Sequence, residues 1–196
     1  MTILFVCFSY LLGSIPSGYL LFRLKSKGDI RDFGSQSIGA TNVLRTTGWK
    51  LAIPVAVLDI LKGFLPVFLG LKLFENSSWA LVFGFSAIIG HCFPIFLRFK
   101  GGKGVATTAG VYAAIGIVPL LLMLAVFLLV STITRYISLG SILGVLSFPL
   151  FSYILGGETE ILFLSAAVFL LITLRHKGNI QRLIQGNERK FGEKVT

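Results

Sequence analysis

Apolar runs too long for a soluble core dominate this chain, and they decide the solvent in which it folds. Segments 3–22, 51–71, 79–97 and 139–155 are each near the length of a membrane span, 161–174 is slightly short of one, and an interrupted apolar stretch joins Val105 to Thr134. Charged residues make up only 13% of the 196 residues, about half of what a soluble surface carries. Most of the surface must therefore face lipid. The expected fold is an all-α polytopic membrane protein, a single domain over residues 1–196 with no room for a large soluble part. The first apolar run lacks the basic start and small-residue cleavage site of a secretory leader, so it reads as a span.

Loop charge orients the spans. Arg23, Lys25, Lys27, Arg31, Arg45 and Lys50 lie in one loop, Arg98, Lys100 and Lys103 in a second, and a third basic cluster begins at Arg175. Glu75, and Glu158 with Glu160, mark the opposite side, so the basic loops are expected inside and the acidic ones outside. Parity then constrains the stretch between Val105 and Thr134. Both its ends carry inside-facing basic residues, Lys103 and Arg135, so the chain must cross an even number of times. One helix of that length would run about 45 Å, too long for an upright crossing. Two short helices turning near Gly116 and Pro119 satisfy both conditions. The total is seven transmembrane helices, N-terminus outside and C-terminus in the cytoplasm.

The net charge of +10 exceeds what orientation alone requires, and its placement in short loops argues against nucleic acid. An anionic ligand or membrane surface fits better. Cys7 and Cys92 provide neither a disulfide framework nor metal-ligand spacing, and carboxylates are too scattered for a metal cluster, so no metal or cofactor is expected.

Non-apolar chemistry collects in three stretches assigned to the cytoplasmic side. Phe33-Gly34-Ser35-Gln36-Ser37-Ile38-Gly39-Ala40-Thr41-Asn42-Val43-Leu44-Arg45 supplies flexible backbone, hydroxyls, a carboxamide and a guanidinium. Glycine and serine backbones form anion-binding concavities, and arginine grips phosphate bidentately. Gly90-His91-Cys92-Phe93-Pro94 runs on to Lys100-Gly101-Gly102-Lys103-Gly104-Val105-Ala106-Thr107. A Gly-Gly-Lys-Gly segment opening a helix suits phosphate, although Leu97 stands where a Walker A loop needs its first glycine. The third stretch, His176-Lys177-Gly178-Asn179-Ile180-Gln181-Arg182-Leu183, follows the last span. Ser141 opens the sixth span at similar depth, and Asp59 and Lys62 share a helix face within the second. Neither histidine has an acidic residue five positions later, so the His-x4-Asp dyad of common glycerolipid acyltransferases is absent. A transporter of a phosphorylated small molecule is the competing class, but no internal repeat is evident and the polar residues gather on one face.

These stretches, with Gly13-Ser14-Ile15-Pro16-Ser17-Gly18, together resemble the bacterial acyl-phosphate–glycerol-3-phosphate acyltransferase family over nearly the whole chain. One departure stands at Gln36-Ser37, where the family more usually has Gly-Asn. The resemblance implies transfer of a fatty acyl group from acyl phosphate to the 1-hydroxyl of glycerol 3-phosphate, giving lysophosphatidic acid and phosphate. It implies Lys103, His176 and Asn179 as catalytic. Ser35, Gly39, Ala40, Thr41, Asn42, Arg45, Gly104 and Ser141, with those three, would bind substrate. A monomer in the bacterial inner membrane, in contact with lipid and with its active site on the cytoplasmic side, is the matching expectation.

Overall fold

The computed structural model describes residues 1–193. The described residues form helices and loops, without strands, in two compact units: 1–114, and 115–193.

The first unit contains α1 (Thr2–Ser14), α2 (Ser17–Ser26), α3 (Ala40–Thr47), α4 (Trp49–Leu73), α5 (Ser78–Cys92) and α6 (Val105–Ile115). Side chains sort by size here. Ile3 and Leu4 on α1 point outward, whereas Ser9, Gly13 and Ser14 point inward. With lipid as solvent, helices gain by close backbone approach, which small residues permit. A Cβ on Gly13 would lie 2.1 Å from the Ala87 carbonyl oxygen of α5, and one on Gly110 of α6 would lie 1.9 Å from that of Ile60 on α4. Ser9 donates to the Phe5 carbonyl at 2.7 Å, so its buried hydroxyl is satisfied within its own helix.

Pro16 separates α1 from α2, because proline cannot donate the backbone bond a continuous helix needs. The two still form one apolar span over Thr2–Ser26. At the end of α5, Pro94 stops the helix at Cys92, and a single 3-10 turn, Ile95–Leu97, completes the apolar segment.

The second unit contains α7 (Ile117–Thr134), α8 (Ile137–Ile154), α9 (Thr159–Arg175) and α10 (Lys177–Ile184). Gly140 and Gly144 of α8 face Ser131 and Phe127 of α7, bringing those backbones together. The α10 helix turns away from α9 by 63° and packs against α8 and α9.

Among the described residues, five segments are long and apolar enough to cross a membrane, or six if α9 and its bent continuation count as one span. The chain between Val105 and Thr134 does break at Gly116, yet only α6, with 11 residues, is short. The expectation of two short helices is corrected for α7, which has 18 residues and is span-length. Pro119 falls in its first turn, where a missing N–H breaks no helical bond, so it does not delay the helix.

Candidate active site

In the first unit, the loop between α2 and α3 is organised around Asn42, which is buried on α3. Its Oδ1 accepts from the Ser35 backbone N–H at 2.7 Å. Its Nδ2 donates to the carbonyls of Ile30, Phe33 and Ser37 at 3.2, 3.1 and 2.8 Å. Asn42, expected to touch substrate, thus holds the loop's own backbone. Gly34 sits at φ +58° against it, where a Cβ would come 2.3 Å from Asn42 Oδ1. Gly39 caps α3, so Ala40 and Thr41 open that helix with N–H groups in its first turn, and Arg45 lies in its last turn.

The second loop lies between α5 and α6. The Gly102 N–H donates to the His91 carbonyl at 3.1 Å. A Cβ on Gly102 would fall 2.0 Å from His91 Nε2, and one on Gly101 would fall 2.2 Å from the His91 carbonyl oxygen. These glycines are therefore demanded by the chain's own packing on His91. Gly104, at φ +86°, turns the loop into α6, and Lys103 immediately precedes that turn. The two loops share a core: Leu97 packs in one cluster with Phe22, Ile30, Ile38, Val43, Ala52 and Val55.

Beneath them lies a buried charge cluster. Lys62 Nζ stands 2.7 Å from Asp59 Oδ1, the pairing read from their helical spacing. His91 Nδ1 approaches the same oxygen at 3.6 Å.

In the second unit, Ser141 Oγ donates to the Ile137 carbonyl at 2.8 Å. His176, at the junction of α9 and α10, has Nδ1 2.8 Å from the Ile172 carbonyl. A carbonyl only accepts, so Nδ1 carries a proton, and in the neutral ring the lone pair lies on Nε2. Asn179 Nδ2 donates to Glu188 Oε1 at 2.6 Å. Ser138 Oγ donates to the same oxygen at 2.7 Å, and Arg182 Nε donates to Oε2 at 2.8 Å. Burial pushes the Glu188 carboxyl up, but these hydrogen bonds pull it further down, and it ends below its ordinary 4.5. Sequence reasoning gave Glu188 no role. Its one signal is an acidic residue standing among Arg182, Arg189 and Lys190.

Residues 3–186 match the family profile described as glycerol-3-phosphate acyltransferase. The chain belongs to that family. A glycerol-3-phosphate acyltransferase from Endomicrobium trichonymphae is 46% identical over 189 residues, covering 96% of this chain and 95% of the relative. The Aquifex aeolicus relative of the same name is 43% identical over 187 residues, covering 95% of this chain and 97% of that one. Among solved structures, PlsY (YgiH), an integral membrane glycerol 3-phosphate acyltransferase, superimposes in its glycerol 3-phosphate form with a TM-score of 0.93 at 41% identity, covering 97% of this chain and 96% of that one. Its lysophosphatidic acid form gives a TM-score of 0.91 at 40% identity, covering 97% and 95%. The chain is a multi-pass membrane acyltransferase of phospholipid synthesis.

Proposed function

We propose that this enzyme moves a fatty acyl group from acyl phosphate to the 1-hydroxyl of glycerol 3-phosphate, releasing lysophosphatidic acid and inorganic phosphate. The observation carrying this reading is the loop before α6. Its glycines lie on His91, its Gly104 turns into a helix N-terminus, and Lys103 stands beside that turn. Such an end offers unpaired N–H groups and a favourable dipole to an anion, and lysine adds a full charge.

Both substrates carry phosphate, and one is lipidic. Acyl phosphate is a mixed anhydride, so the acceptor oxygen attacks the acyl carbon directly while the bond to the phosphate oxygen breaks. In this assignment Ser35, Arg45 and Lys103 bind phosphate, and Lys103 also offsets charge on the leaving group. Gly39, Ala40 and Thr41 offer backbone N–H groups at the start of α3. Asn42 acts indirectly, by holding the loop that carries Ser35.

The second unit's polar groups suit hydroxyls. With its proton directed at Ile137, Ser141 Oγ keeps lone pairs that accept, and Asn179 keeps Oδ1 as an acceptor while Nδ2 serves Glu188. His176 orients the acceptor, and the departing phosphate oxygen takes the hydroxyl proton. The whole chain acts as one acyltransferase domain and as a monomer. It crosses the bacterial inner membrane seven times with its N-terminus outside, its C-terminus and basic loops facing the cytoplasm, and α6 sheltered by α4.

A phosphate-release assay on purified protein with palmitoyl phosphate and glycerol 3-phosphate tests the reading. Release that needs both substrates, yields lysophosphatidic acid and disappears in Lys103→Ala is expected. A folded protein inactive with acyl phosphate but active with an acyl-carrier donor would overturn the choice of donor.

A further inference from the structure

Asp59, Lys62 and His91 are all buried at membrane depth, where isolated charges are costly and persist only when paired. Their contacts lead toward both proposed phosphate loops. The Lys62–Asp59 contact at 2.7 Å is a charge pairing rather than an aligned hydrogen bond. Lys62 Nζ instead directs a hydrogen bond at 2.9 Å to the Ile15 carbonyl. That carbonyl lies at the break between α1 and α2, where Pro16 supplies no N–H. Three residues on, Gly18 of α2 lies against the first loop: a Cβ there would be 1.9 Å from the Ile38 carbonyl oxygen. The same Asp59 oxygen faces His91 Nδ1 at 3.6 Å, and the His91 ring and carbonyl form the surface on which Gly101 and Gly102 rest.

We propose that Asp59, Lys62 and His91 form one positioning network that sets the placement of both loops, and through them the affinity for phosphate-bearing substrate. This rests on the reading of those loops as phosphate sites. None of the three is placed on substrate. Asp59 fixes Lys62 and His91, Lys62 fixes the entry to α2, and His91 fixes the glycines ahead of Lys103. A purely structural pair is replaceable by apolar residues of similar volume without loss of stability. Replacing a positioning network in the same way keeps stability but costs substrate affinity, because its polar contacts determine where the loops lie.

The test compares wild type, Asp59→Leu/Lys62→Met and His91→Gln in detergent, measuring melting temperature together with KM and kcat for glycerol 3-phosphate. The expected double variant melts near wild type yet shows KM raised about ten-fold or more, a misplacement effect. His91→Gln, which keeps every charge of the ion pair, is expected to raise KM similarly with melting little changed. A stable double variant with wild-type KM and kcat would overturn the network. Should the double variant fail to fold, wild-type KM in His91→Gln overturns it alone. A wild-type protein without turnover overturns the loop assignment first, and this inference with it.

Discussion

Glu188 Oε1 lies 2.6 Å from Asn179 Nδ2, so a carboxylate beyond α10 holds the carboxamide on that helix. The same oxygen also accepts from Ser138 on α8, while Arg182 binds Oε2. One side chain thereby ties α10 to α8. Glu188→Ala leaves Asn179 and Ser138 buried without this partner, at a cost of about 1–3 kcal/mol for each such group. The expected outcome is a melting temperature several degrees lower and a large loss of activity. Thermal unfolding in detergent, read alongside turnover, checks it.

The same contacts predict a pH dependence of stability. The folded carboxyl of Glu188 titrates below its ordinary 4.5, so the unfolded chain binds the proton more readily. Its contribution is therefore complete above pH 4.5 and is lost as pH falls through the lowered folded value. Melting temperature should be flat in Glu188 terms from neutrality down to that point and then decline. Glu188→Gln should melt lower at neutral pH and show a shallower acid decline. Equal acid declines in the two proteins would remove Glu188 as a contributor.

Asn42 gives a sharper test of the first loop. Asn42→Asp keeps the shape but replaces the Nδ2 donor that serves the Ile30, Phe33 and Ser37 carbonyls. Carboxylate oxygens would then face carbonyl oxygens, and the loop must rearrange. A fall of about a hundred-fold in kcat/KM is expected, since displaced binding groups cost rate steeply. Steady-state kinetics on the folded variant decide it.

Gly39→Ala separates substrate contact from packing. Gly39 has an ordinary backbone at φ −75°, and a Cβ there meets only Ser37 Oγ at 3.6 Å. The protein itself therefore accepts alanine. If the α3 N-terminus receives phosphate, the added methyl obstructs the ligand alone. Unchanged melting with KM for glycerol 3-phosphate raised about ten-fold is expected. An unchanged KM would take Gly39 off the substrate side.

These tests differ in how far sequence could anticipate them. Apolar runs and loop charge reveal spans because lipid imposes composition directly, and the glycine-rich stretches stand out for the same reason. Asp59 and Lys62 were legible as a pair because helical geometry puts residues three apart on one face. Their link to His91 was not, since it joins α4 to α5 across the fold. Asn42 reads as a ligand by type, and only tertiary structure shows its amide committed to four backbone groups. Pro119 reads as a turn signal, whereas its position in the first turn of α7 makes it compatible with a full-length helix.

His176 bears on how the proton leaves the acceptor hydroxyl. Its ring is held by the Nδ1 contact to the Ile172 carbonyl, which suits a fixed hydrogen-bonding partner as well as a base. With acyl phosphate as the proposed donor, the breaking acyl carbon–oxygen bond leaves charge on a phosphate oxygen, which becomes basic beside the reacting hydroxyl. Proton transfer to that oxygen balances the reaction without a protein base, and no His-x4-Asp dyad is present to supply one. His176→Gln should therefore retain kcat within about ten-fold of wild type while raising KM, less than the 10²–10⁴-fold that general-base catalysis typically contributes. Saturation kinetics with palmitoyl phosphate measure both. A kcat reduced by several powers of ten at unchanged KM would instead make His176 the base, with the phosphate a leaving group only.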